Sequence, residues 1–442
     1  MNIIRSIKKN EFLKSVFSVG AGNLLAQIIN IITIPIISRL YTDEVYGEFG
    51  IFTSTATIIV GITTLGLNSS IMLPKEDSEA KKVLTMTFYI QLFLTSFIMI
   101  GCILIMPYYR FFEVSFSYAM TLMIMGGYVI LTNLNSLLIT YTNRRGMNKV
   151  LFINPIIGAI SKLVITLPFG IIHMGIIGFI GASILSLICT CTQMIKRTKP
   201  FWFEINLKDI KNLFISYKKF ILFQYPANFI SQFAVQLPVQ IFSRIFGNAQ
   251  VGSYTMCVRL LQYPAILIAA PIGTVYFRTT SRYNRNGENI SDFTYKLISK
   301  IMWISLIPSI IVIVFGERIF TFLLGNQWRE AGILASILVV QYVLQFCATC
   351  TSYCRVTIGR QNINLYYSII QILIISLFIW RGFSSSGSFV GTIIWFSIGM
   401  SIVLIVDMGL NFYCLKKNFL RYLKFISIYF LIIGGVFAVM IL

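Results

Sequence analysis

Negative charge is scarce in this chain: 15 aspartates and glutamates stand among 442 residues, against 36 lysines and arginines. A cavity of acidic character, of the kind that would attract cationic compounds, is the wrong expectation here. Histidine occurs once, as His173, and one histidine makes neither a metal site nor a proton relay. Charged residues of both signs amount to 12%, too few to clothe a soluble globule of this length. A small-residue cleavage site after a short apolar core is also missing near the N-terminus, so that segment reads as a first spanning helix and not as a removed signal peptide. None of the eight cysteines falls in a predicted outer loop where oxidation would cross-link it. Cys347 and Cys350 have redox or metal spacing, but within an apolar helix they read as small packing residues.

Apolar residues make up 57% of the chain and the mean hydropathy is +0.80, which places it among multi-span membrane proteins. Thirteen apolar runs, from about 15 to 38 through about 424 to 442, meet or approach the ~20 residues a helix needs to cross hydrocarbon. The net charge of +21 would suggest nucleic acid in a soluble protein. Here the basic residues are instead sorted by loop, which sets topology and implies no nucleic-acid partner. With the N-terminus in the cytoplasm, 28 of them fall in inside segments and six in outside loops. Lys162 and Arg259 are left over, both within helices.

Two stretches about 205 residues apart share their polar punctuation. Lys14, Asn23, Gln27, Ser38, Arg39 and Gly47 are answered by Lys219, Asn228, Gln232, Ser243, Arg244 and Gly252. Six helices in the first half return the chain to its starting side, so the repeats are parallel and related by an axis along the membrane normal. The expected fold is an all-α polytopic membrane protein of two six-helix lobes around a central cavity, with an additional C-terminal helix. Residues 1–195 form the first lobe, 196–212 a cytoplasmic connector, 213–415 the second lobe and 416–442 the thirteenth helix. Duplicated membrane halves place a substrate near the bilayer midplane and work by rocking.

Within the first helix Gly20, Asn23, Gln27 and Asn30 recur at steps of three and four, and Gln224, Asn228, Gln232 and Gln236 repeat this in the seventh. Such amides often serve as interhelical glue, but two matching stripes fit a polar cavity better. Lys162, near the middle of the fifth helix with Asn154, Gly158 and Thr166 on its face, and Arg259, beside Thr255 and Gln262 in the eighth, each demand a partner or water, since a charge at a helix centre costs ~2.5 to 3.5 kcal/mol. Asp407 is read as the only carboxylate within a predicted span and could neutralise at most one of them. It either balances a basic residue or takes part in ion coupling. Arginine offers a planar fork for phosphate oxygens and lysine a mobile point charge, so Lys162 and Arg259 read as lining a cavity for an anion. Arg39 and Arg244 stand at helix ends and read as structural.

The run Arg39-Leu40-Tyr41-Thr42-Asp43-Glu44-Val45-Tyr46-Gly47-Glu48-Phe49, followed by Thr64-Leu65-Gly66-Leu67, resembles the opening of polysaccharide-specific transporters of the MOP (multidrug, oligosaccharidyl-lipid, polysaccharide) superfamily, and among them Wzx-type O-antigen flippases. With the two-lobe layout the resemblance extends over about residues 10 to 415. It implies transfer of a polyprenyl-pyrophosphate-linked oligosaccharide from the cytoplasmic to the outer leaflet of a bacterial inner membrane, with membrane lipids and other polysaccharide-assembly membrane proteins as partners. The basic cavity residues expected of such flippases map onto Lys162 and Arg259 by helix and depth, with Asn23, Gln27, Asn228 and Gln232 beside them. The resemblance implies no cofactor; proton or sodium coupling occurs in the superfamily, but its coupling carboxylates have no match in the seventh or eleventh helix. Two rivals belong to other classes. A multidrug exporter of the same fold would meet cationic drugs with the wrong charge, and a polysaccharide polymerase or ligase would need larger, charge-bearing outer loops.

Overall fold

A computed structural model describes residues 2–105, 118–200, 225–360 and 363–441. Among these residues the chain is helical throughout, with no strand. In lipid this is the expected solution, because a helix satisfies every backbone N–H and C=O within its own segment. The helices are α1 (Asn2–Leu40), α2 (Asp43–Thr64), α3 (Asp77–Ile105), α4 (Tyr118–Arg144), α5 (Asn148–Ile171), α6 (Ile176–Thr198), α7 (Tyr225–Phe246), α8 (Asn248–Pro264), α9 (Ala270–Asn286), α10 (Ile290–Leu324), α11 (Arg329–Thr351), the short α12 (Cys354–Thr357), α13 (Ile363–Ser386), α14 (Phe389–Leu415) and α15 (Phe419–Ile441). A π-helical turn, Ala265–Ala269, joins α8 to α9 into one continuous stretch. Among the described residues eleven helices are long and apolar enough to cross a membrane. The chain is therefore a multi-pass membrane protein. α7, whose glutamines dilute its apolar character, and α15 are further helices of 22 and 23 residues. Parts of the seventh predicted run and of the connector, including Lys219 and Gln224, lie outside the described residues, as does Arg110.

By packing, the chain groups into two units, Met1–Val251 and Gly252–Leu442. α7 thus packs with the first six helices, whereas the sequence repeat pairs it with α1; contact and repeat divide the chain by different criteria. In the first unit α1 lies along α5 and α5 along α6. The α1–α5 approach is closed by Gly22, where any Cβ would enter the Phe152 carbonyl. In the second unit α10 meets α11 through Gly316 and Gly332; a Cβ on Gly332 would come 2.7 Å from the Glu317 Cα and from the Gly316 carbonyl. Small residues of this kind bring membrane helices together where no hydrophobic drive operates between them. Outward-facing side chains are large and apolar, as with Phe97, Leu104, Ile304, Phe322 and Leu373, and a patch of this extent requires lipid around it.

The repeat has a local counterpart. Ser38 Oγ donates to the Pro35 carbonyl at 3.1 Å and Ser243 Oγ to the Gln240 carbonyl at 3.0 Å, at matching places in α1 and α7. Each helix ends just after the arginine that follows, Arg39 or Arg244. Thr42 then caps α2 by accepting from the Val45 N–H, which fixes the turn that the sequence run Arg39 to Phe49 encodes.

Candidate functional site

On α1 the exposed apolar side chains are Leu24, Leu25, Ile28, Ile32 and Ile36, which mark the face turned to lipid. At ~100° per residue the mean direction of Asn23, Gln27 and Asn30 falls about 160° from that face. Asn23 is nevertheless exposed, and Gln27 half-buried. The amide stripe therefore points into the protein side of the helix and still has room in front of it, which is what a polar interior surface requires.

The α7 stripe is used differently. Gln240 Nε2 donates to Ser54 Oγ and to Thr55 Oγ1, both at 3.1 Å, and Gln232 Nε2 to the Thr57 carbonyl at 3.4 Å. Ser54 Oγ donates back to the Gln236 carbonyl at 3.4 Å, and the Tyr225 hydroxyl to the Ile62 carbonyl at 3.0 Å. Gly61 lets this happen, since the Phe229 ring lies 3.1 Å from where its Cβ would be. The hydroxyl-bearing face of α2 is thus a partner that the sequence pattern did not single out, although Ser54, Thr55 and Thr57 fall within little more than a turn. Asn228 remains exposed. Among the described residues no hydrogen bond joins Asn23 or Gln27 to Asn228 or Gln232.

Lys162 stands half-buried in α5 with its Nζ 5.1 Å from the centroid of the Phe49 ring. Phe49 in turn stacks on Phe179 at 5.0 Å, and Tyr41 and Tyr46 meet Phe179 at 4.3 and 4.9 Å. A ring face attracts the ammonium by about 0.5 to 2 kcal/mol depending on solvation. The Tyr41 hydroxyl donates to the Thr166 carbonyl at 2.7 Å, one helical turn beyond Lys162. Burial pushes the Tyr41 phenol up to about 12, so it remains a donor throughout the physiological range. Tyr41, Tyr46 and Phe49 all lie in the run that carries the family resemblance, which gives those aromatics a physical role: Tyr41 and Phe49 hold the segment of α5 that bears the lysine, and Tyr46 packs on Phe179 of α6. Asn154 departs from expectation. It does not share Lys162's surroundings but is buried against α6, donating to the Thr190 carbonyl at 3.1 Å and to Gln193 Oε1 at 2.8 Å. A step of four residues turns ~40° further round a helix each time, so Asn154 and Lys162 face different neighbours.

In the second unit Arg259 is half-buried on α8. Its helix is anchored by Tyr254 against Phe396 of α14. One turn further on, Pro264 has no N–H to donate, and the π turn Ala265–Ala269 follows. Single π turns of this kind concentrate at functional places in helices.

The carboxylate of Asp407 is held by neither of the two helix cations singled out above but by Arg355, whose Nη2 lies 2.5 Å from Oδ1; both side chains are at least nine-tenths buried. Arg355 belongs to α12 and also faces the Tyr367 ring at 5.6 Å. The sequence places Arg355 with the inside loops. Its burial has no signal there, because the short break between two apolar runs looks the same whether or not it folds inward. Glu48 is a second correction: it lies inside α2 and is 8% exposed, so Asp407 is not the only acid within a spanning helix.

Residues 36–332 match the model of a family described as polysaccharide biosynthesis protein. The chain belongs to the polysaccharide biosynthesis protein family. A comparison with curated proteins finds no match. Among solved structures, this family member resembles the lipid II flippase MurJ in an inward closed conformation, at 14% identity over 98% of each chain with a TM-score of 0.65. It also resembles a multidrug resistance MATE family transporter of the MOP superfamily in its inward-facing conformation, at 15% identity over 93% of this chain and 95% of that one, TM-score 0.63. A MOP superfamily transporter from Pyrococcus furiosus, described as having a binding pocket of reverse polarity, aligns at 16% identity over 91% and 96%, TM-score 0.59. The polysaccharide biosynthesis protein therefore has the MOP superfamily fold along nearly its whole length.

Proposed function

We propose that the protein is a flippase that moves a polyprenyl-pyrophosphate-linked, O-antigen-like oligosaccharide repeat unit from the inner to the outer leaflet of a bacterial inner membrane, with its N-terminus in the cytoplasm. The observation that carries this reading is the conjunction of family and charge: a polysaccharide biosynthesis protein in the fold of MurJ and MATE keeps a basic residue within one helix of each sequence repeat, Lys162 and Arg259. Several sugars and a pyrophosphate cannot cross hydrocarbon unaided, since each unpaired polar group costs kilocalories there. In the proposed cycle the two cations receive the phosphates, Asn23, Gln27, Asn228 and Gln232 receive sugar hydroxyls, and the polyprenyl tail stays in lipid. The lobes rock, and no covalent bond is made or broken.

The fold alone would equally suit a multidrug exporter. Cationic drugs would be repelled by Lys162 and Arg259, however, and the Pyrococcus furiosus protein supports the idea that pocket polarity varies within this fold. Coupling to protons or sodium would need a carboxylate that the cycle can expose; Asp407, engaged by Arg355, supports charge balance instead. In cells lacking the protein, lipid-linked repeat units should accumulate where a membrane-impermeant glycosidase added to spheroplasts cannot reach them. Single units accessible outside would instead identify a polymerase.

A further inference from the structure

Where α3 begins and α4 ends, the chain forms an open pocket of about 740 Å³ whose lining includes Lys75, Asp77, Asn143, Arg144 and Arg145. Its floor is built by one side chain. The Arg144 guanidinium donates to five carbonyls of the loop before α3, those of Ile71, Met72, Pro74, Lys75 and Glu76, at 3.2, 3.1, 2.7, 3.4 and 3.2 Å. Carbonyl acceptors satisfy its Nη N–H groups and leave its formal charge in place. Arg145 is tied by Nη1 to the Thr198 carbonyl at 3.1 Å, and its Nε lies 4.0 Å from Asp77. Asp77 is further occupied by the Tyr141 hydroxyl, at 3.1 and 3.2 Å from its two oxygens. Against one acid the pocket thus sets three cations, with Lys75 exposed at its mouth. Beside that lysine stand two apolar side chains that a soluble surface would hide: Met72 is 40% and Leu73 53% exposed. Two spanning helices terminate at this level. Fixed positive charge, an open, shallow depression and an apolar rim beside the ends of two spanning helices are together complementary to an amphiphile with an anionic head.

We infer that this pocket is a binding site for the phosphate of a lipid headgroup, the phosphate lying against Lys75, Arg144 and Arg145 and the first carbons of the chain against Met72 and Leu73. The site is separate from Lys162 and Arg259 and stands whether or not those residues carry the proposed substrate. The phosphate could belong to an anionic phospholipid of the bilayer or to a polyprenyl pyrophosphate awaiting transport, and the experiment separates the two.

Purified full-length protein is titrated with phosphatidylglycerol and, separately, with farnesyl pyrophosphate, and affinity is read by native mass spectrometry. From the usual contribution of one basic residue to binding an anionic membrane, Lys75→Ala should weaken binding about fivefold and the Lys75→Ala, Arg145→Ala double variant about thirtyfold. Lys75→Arg should bind as the wild type does, and so should Lys300→Ala, an exposed lysine in the other unit. Loss for phosphatidylglycerol alone supports the site with a bilayer phospholipid as occupant. Loss for farnesyl pyrophosphate alone supports it with a polyprenyl pyrophosphate, and loss for both supports a phosphate site that does not discriminate. Lys75 is exposed, so its alanine variant folds and remains informative even where Arg145→Ala does not. Unchanged affinity of Lys75→Ala for both probes overturns the inference, as does an equal loss from Lys300→Ala, which would mean diffuse attraction to the whole basic surface.

Discussion

Cells carrying the Lys162→Ala, Arg259→Ala double variant as their only copy are expected to lose surface glycan almost completely while the protein stays at its normal level in the membrane. A hydrogen bond to a charged group contributes about 1.5 to 3 kcal/mol, so each substitution should slow transport roughly ten- to hundredfold and the pair by the product if they act independently. The direction of the conservative changes separates charge from shape. Arg259→Lys keeps the charge but not the planar fork and should retain part of the activity, whereas Lys162→Arg should be tolerated where the aromatic surroundings leave room. Lys162 is held on Phe49 at 5.1 Å, so Phe49→Leu should reproduce a milder form of the Lys162→Ala defect without removing any charge. Normal surface glycan from a well-expressed double alanine variant would return both residues to a packing role.

The second large effect concerns stability. Asp407→Asn leaves the Arg355 guanidinium buried beside a neutral amide, and removing one partner of a buried pair costs about 3 to 5 kcal/mol. An ordinary domain has only about 5 to 15 kcal/mol of stability in all, so the variant should fall well below the wild-type level on a membrane immunoblot. Arg355→Leu together with Asp407→Leu removes both charges, and apolar replacement of a whole buried pair is often neutral. The double variant should therefore recover both protein and surface glycan. Recovered protein with transport still lost would show that the carboxylate cycles its charge during transport, as ion coupling demands.

The helices were legible because lipid allows so few alternatives: a run of about 20 apolar residues has essentially one spanning conformation. At the matching positions Ser38 and Ser243 each bond back to the carbonyl three residues earlier, just before their helices end. Tertiary choices were not legible. Asn154 and Lys162 share an approximate face in the pattern, and the drift of ~40° per four residues sends Asn154 to Thr190 and Gln193 of α6 and Lys162 to Phe49 of α2. The partner of the α7 glutamines could not be read either, because Ser and Thr within a helix equally bond their own preceding turn, as Thr53 and Thr57 do here. Arg355 was hidden in a different way: charge in a short break between apolar runs signals topology on average, and one residue of the 28 assigned to the inside turned inward to meet Asp407. Glu48 stands close enough to the end of α2 to pass as a boundary residue, though it is buried.

Reconstitution tests the central claim most directly. Purified protein is placed in vesicles containing a fluorescent polyprenyl-pyrophosphate disaccharide, and a membrane-impermeant quencher is added outside. The proposed function predicts that wild-type protein brings the inner-leaflet probe out to the quencher, whereas vesicles without protein, or with the Lys162→Ala, Arg259→Ala variant, quench only their outer leaflet. Correctly folded wild-type protein that leaves the inner-leaflet pool unquenched, with or without an imposed proton or sodium gradient, would contradict it.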